Sequence, residues 1–84
     1  TIAIYPNPAK DNIEISILEN VNQIENPNSE NEIKIFDNQY NIKKQIKTHQ
    51  NSLSLNISNF QSGIYYVHVM HNGKTSVKQL VISK

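Results

Sequence analysis

The dipeptide Asn72-Gly73 stands between two runs of strand-forming residues, and it limits what this chain can fold into more than any other feature. Before it lies Ile64-Tyr65-Tyr66-Val67-His68-Val69-Met70, rich in the β-branched and aromatic residues that suit a pleated, half-buried surface. Asn followed by Gly supplies two residues that tolerate positive φ, as a type I′ two-residue turn requires, so Lys74 to Ile82 is expected to return antiparallel beside the first run. Gly63 opens the hairpin and Gly73 closes its turn. A hairpin of this kind implies a sheet and carries no chemistry of its own.

The rest of the chain supplies partners for that sheet. Ile2 to Tyr5 alternates weakly and stops at Pro6-Asn7-Pro8, a short edge strand ending in a stiff elbow. Ile13-Glu14-Ile15-Ser16-Ile17, Glu32-Ile33-Lys34-Ile35-Phe36 and Leu53-Ser54-Leu55-Asn56-Ile57 each alternate strictly, which marks half-buried strands. Asn20 to Asn31, with Pro27, Ser29 and a preponderance of Asn, reads as a loop anchored only by Val21 and Ile24. Ile42 and Ile46 are placed on one face of a strand from Ile42 to Lys47, although their spacing also permits a helix. Asp37-Asn38-Gln39 is a turn.

About seven short strands spaced near ten residues apart predict an all-β fold, an antiparallel Ig-like β-sandwich. Its expected core is Ile13, Ile15, Ile17, Ile33, Ile35, Leu53, Leu55, Ile57, Tyr65, Val67, Val69, Leu80 and Ile82.

The 84 residues make a single domain, residues 1–84, that buries only about 60–65% of the surface its unfolded chain exposes. The chain begins at Thr1 without an initiator Met or an apolar leader, and is expected to be a piece of a longer precursor. Its eight basic residues are all Lys, spread among seven acidic ones, for a net charge of +1. That balance lacks the basic stripe and guanidinium forks that nucleic acid selects. Cysteine is absent, which excludes a disulfide framework and a thiolate metal site. No apolar run approaches the roughly 18–20 residues of a helical membrane span.

Catalytic and ligand-binding patterns are equally sparse. His49 lies in a loop, His68 on the outward phase of its strand and His71 beside the turn; all three read as solvated, and the strand parity of His68 and His71 keeps them from sharing a metal. Two glycines cannot build a phosphate loop, no serine sits in a nucleophile elbow, and the carboxylates are scattered. The expectation is a non-enzyme that needs no cofactor and no metal. Phe36, Tyr40 and Tyr66 are the candidates for an exposed sugar-binding platform, so a carbohydrate-binding or adhesive β-sandwich is the rival reading.

Taken together, Tyr5-Pro6-Asn7-Pro8 with Asp11 and Ile13-x-Ile15, Ile33-x-Ile35-Phe36-Asp37, and Leu55-x-Ile57-Ser58 through Gly63-x-Tyr65-x-Val67 to Gly73 and Lys78-Gln79-Leu80-Val81-Ile82 resemble the type A C-terminal sorting domain of the type IX (Por) secretion system of Bacteroidetes. The resemblance implies a sorting signal that directs a cargo protein across the outer membrane. The partners it implies are the type IX translocon with its shuttle proteins and a cell-surface cysteine-dependent sortase that removes the domain. It also implies passage through the periplasm to the cell surface or the medium. In this reading Pro6, Asn7, Pro8, Gly63, Tyr65 and Gly73 hold the fold, with Gly63-x-Tyr65 reminiscent of a tyrosine corner. Lys78, Leu80, Val81, Ile82 and Lys84 are the candidates for recognition, carried by the final strand from Val77 to Lys84. The chain departs from the family in having Tyr40 where Gly is usual, which suggests a different turn, and Gln79 preceded by Lys78 where Lys is usual.

Overall fold

The computed structural model describes residues 2–18 and 30–84. They form β1 (Ile2–Tyr5), β2 (Asn12–Ile17), β3 (Asn31–Asp37), β4 (Ile42–Thr48), β5 (Ser52–Asn56), β6 (Gly63–His71) and β7 (Lys74–Ile82). Two antiparallel sheets result, one ordered β1-β2-β5 and the other β4-β3-β6-β7. The all-β sandwich and its strands follow the alternation in the sequence, and residues 42–48 are strand rather than helix. Of the loop expected over residues 20–31, residues 20–29 lie outside the described residues.

Strict alternation places one row of each strand between the sheets. Ile13, Ile15, Ile33, Ile35, Ile57, Val67, Val69, Leu80 and Ile82 are almost wholly removed from water. Leu53 is only half-buried, at the margin of the short sheet, while Ile2 and Ala9, which the alternation does not single out, are buried. Ile46 packs against the core, but Ile42 does not share its face and is 52% exposed. The reason is a register shift between Ile35 and Phe36: Ile35 faces Lys44 and Phe36 faces Ile42, so Lys43 is an extra residue and reverses the phase of what precedes it.

Asn31 opens β3 and is a fully buried polar side chain. Its Nδ2 donates to the Gln50 carbonyl at 2.9 Å and to Asn51 Oδ1 at 3.2 Å. Its Oδ1 can only accept, so His71 Nδ1 carries the hydrogen between them, and His71 Nε2 is left to accept from Asn72 Nδ2. The network ties the start of β3 to the loop before β5 and to the end of β6.

The β6–β7 hairpin turns as the sequence predicts, with φ of 51° at Asn72 and 77° at Gly73. In the β3–β4 turn the Asp37 carboxylate accepts from the backbone of Gln39 and Asn41, each at 2.9 Å. Tyr40 there has φ of 64°, so it takes the left-handed conformation that Gly would adopt freely. The Tyr40 ring stacks on Tyr66 with centroids 5.4 Å apart and planes 6° from parallel, a contact that Gly could not make and that offsets the backbone cost.

Two outcomes follow. Asn31→Leu strands the Gln50 carbonyl and is expected to lower unfolding free energy by about 1–3 kcal/mol, read from urea denaturation at neutral pH. The backbone amides of Asn41 and Gln39 hold the Asp37 carboxyl below its ordinary value of 3.8, and hydrogen bonding from Gln45, with Lys34 and Lys47, holds Glu32 below 4.5. Folded values lowered in this way contribute stability that is present above the ordinary values and is lost as pH falls through the lowered ones. Thermal midpoints are therefore expected to drop below about pH 4.5, and Asp37→Asn should lower the midpoint at neutral pH while making this acid loss shallower.

Candidate recognition surface at the C-terminal strand

β7 is the outermost strand of its sheet, with β6 the strand paired to it. Its register with β6 sets Leu80 against Tyr65 and Ile82 against Gly63, so its even-numbered residues point toward the opposite sheet. Leu80 and Ile82 are accordingly buried at 0% and 1% exposure. Of the expected recognition residues these two are core, reachable by a partner only if the strand comes away. Lys78 is exposed beside buried Val67, and Val81 is half-buried on the outer face.

Lys84 is exposed yet tied down. Its Nζ donates to the Ser58 carbonyl at 2.6 Å and its backbone N–H donates to Ser62 Oγ at 3.0 Å. The chain terminus is thereby latched across the loop between β5 and β6.

Residues 6–9 form a strap over part of the outer edge of β7. Asn7, between cis-Pro6 and cis-Pro8, uses its side-chain amide as a surrogate strand residue: Nδ2 donates to the Gln79 carbonyl at 2.9 Å and Oδ1 accepts from the Val81 N–H at 3.0 Å. Ala9 then pairs in parallel with Ile82, donating to the Val81 carbonyl at 2.8 Å and accepting from Ser83 N–H at 2.9 Å. Of Pro6, Asn7 and Pro8, expected to be structural, Asn7 contacts β7, a contact that no spacing rule announces. An Asn between two prolines was the available signal, since its amide is the one group there that can both donate and accept.

Gly63 begins β6 at φ of 157°, and a Cβ there would meet nothing nearer than Tyr65 Cε1 at 4.0 Å; its backbone angle, not a close approach, is what favours glycine. The tyrosine corner is present: the Tyr65 hydroxyl donates to the Gln61 carbonyl at 2.8 Å. Burial, with the charge of Asp37 adding to it, raises the Tyr65 phenol above its ordinary value and keeps it a donor. This corner and the β3–β4 turn flank an open cleft of about 470 Å³, where Lys43 pairs with Asp37 and the Tyr65 hydroxyl with the Gln61 carbonyl.

The histidines correct a sequence expectation. His49 is exposed, but His68 packs on Phe36 at a centroid distance of 4.6 Å, and His71 belongs to the Asn31 network. They face opposite sides of the sheet, and no cluster of metal-ligating residues exists among the described residues. Phe36, Tyr40 and Tyr66 do gather on the outer face, but the Tyr40 ring lies flat on Tyr66, so two of the three rings cover each other and do not form a level platform. Among the described residues no helix is long and apolar enough to cross a membrane.

A comparison with curated proteins finds no match. The family model described as the secretion system C-terminal sorting domain matches residues 3–83, which takes in the strap, the tyrosine corner and the C-terminal strand. This chain belongs to that family of C-terminal sorting domains, the non-catalytic signals of type IX secretion in Bacteroidetes that send proteins to the outer membrane or cell surface.

Proposed function

We propose that residues 1–84 act as one sorting unit at the C-terminus of a longer exported protein. The cargo crosses the periplasm, the translocon and its shuttle proteins engage this domain, and a cell-surface cysteine-dependent sortase then detaches it. The domain catalyses nothing itself. The family match over residues 3–83 carries this reading. In support, the site is built for docking rather than reaction: an edge strand with an exposed lysine, held in place by its own buried residues.

Recognition in this proposal rests on the accessible side chains of the final strand, Val81 on its outer face and Lys78 on the other. Leu80 and Ile82 act indirectly, by fastening the strand to the core. Lys84 acts as a latch through Ser58.

The test fuses residues 1–84 to the C-terminus of a periplasmic fluorescent protein in a type IX-competent bacterium and in a derivative lacking the translocon. Fluorescence is expected at the surface or in the medium of the first strain only. Retention of a folded fusion in the periplasm of both would overturn the proposal. Lys78→Ala is expected to reduce export at an unchanged thermal midpoint, whereas Lys84→Ala should lower the midpoint by releasing the latch.

A further inference from the structure

The outer edge of β7 is divided in two. The bonds to the Gln79 carbonyl and to both backbone groups of Val81 establish that odd-numbered residues of β7 turn their N–H and C=O outward. From Gln79 to Ser83 the strap covers that edge. From Thr75 to Val77 no described residue does, so the outward groups of Thr75 and Val77, with the Gln79 N–H, have no partner among the described residues.

The open half is not blunted by a proline or a bulge, since its register with β6 runs unbroken from His71↔Lys74 to Gly63↔Ile82. The β4 edge contrasts with it, being bulged at Lys43 and carrying Lys43 and Lys47 in ion pairs with Asp37 and Glu32.

Side chains along the open half separate by chemistry. On the outer face Val77 is 53% exposed beside His68, and Met70, 47% exposed, stands on β6 opposite Thr75. On the other face Lys74 and Lys78 are exposed and have no ion-pair partner among the described residues. A second copy paired antiparallel about Val77 would bring four such lysines to one face with no carboxylate, so self-pairing is disfavoured.

We infer that the open edge from Thr75 to Gln79 receives an extended strand of a partner protein whose residues alternate acidic and apolar. Its carboxylates lie beside Lys74 and Lys78, and its apolar side chains lie beside Val77. Backbone pairing supplies the attachment and the alternation supplies the choice of partner. This rests on the sorting reading and names the mode by which the export machinery would hold the same strand.

Val77→Pro tests the backbone contact, because the Val77 N–H faces outward and takes no part in the pairing with β6. Lys74→Glu with Lys78→Glu tests the charge contact, and Lys44→Glu, on the opposite edge of the sheet, is the control. Each is carried in the fluorescent fusion, with thermal midpoints measured on the isolated chain. The expected result is at least tenfold less export for Val77→Pro and for the double charge reversal at near-normal midpoints, with the control exported normally. Should Val77→Pro fail to fold, the charge reversal decides alone. Normal export of folded Val77→Pro, or of the double reversal, overturns the inference while leaving the sorting reading intact; failure of the unaltered chain to be exported overturns both.

Discussion

The side-chain amide of Asn7 is the hinge on which this small sandwich depends. β7 contributes Leu80 and Ile82 to the core but belongs to the edge of its sheet, so only β6 would hold it if nothing lay on its outer side. One amide supplies both a donor and an acceptor to β7, and Ala9 adds two backbone bonds immediately beyond. Each such bond is worth only about 0.5–1.5 kcal/mol net. Four together nevertheless matter for a domain of 84 residues, in which a few kcal/mol is much of the total stability. Ala9 suits its position because it is buried at 0% exposure, where a small side chain is what the strap can bring against the sheet.

Most of the fold was legible in the sequence because isoleucine recurs every second residue in strand after strand, and period-2 burial leaves little freedom in which face turns inward. The exceptions have local causes. Ile42 looked like a neighbour of Ile46, but one extra residue at Lys43 reverses the phase, and a bulge has no signature in apolar spacing. Asn31 looked like the end of a polar loop and is instead a buried member of β3, because its partners come from residues 50, 51 and 71, distant in sequence. Tyr40 stands where Gly is usual and takes a left-handed backbone, with the face of Tyr66 where its ring can stack. His68 was read as solvated from its outward phase, but the neighbouring Phe36 shields it.

The candidate surface was half legible, for a related reason. Alternation separates Leu80 and Ile82 from Val77 and Val81 without difficulty, and the motif order resembles the family now matched over residues 3–83. What alternation cannot convey is which strand lies at a sheet edge, because that depends on the order β4-β3-β6-β7. Nor does it tell how far the edge is already occupied. The division of β7 into a covered and an open half comes from the strap, and Lys84 proved to be engaged with Ser58 rather than free at a terminus. Side-chain parity belongs to each strand alone, whereas edges and latches belong to the assembled sheets.

The strap runs parallel to β7, with Ala9 beside Ile82, and this direction has a mechanical meaning. If one load is drawn back along β1 toward its N-terminal end while another holds β7 and pulls toward its C-terminal end, the two segments slide past each other lengthwise. The hydrogen bonds of Asn7 and Ala9 then lie across the direction of sliding and share the load, instead of opening in turn like a zipper. A pull in that sense is met by a shear clamp, and an asparagine and an alanine are enough to make it.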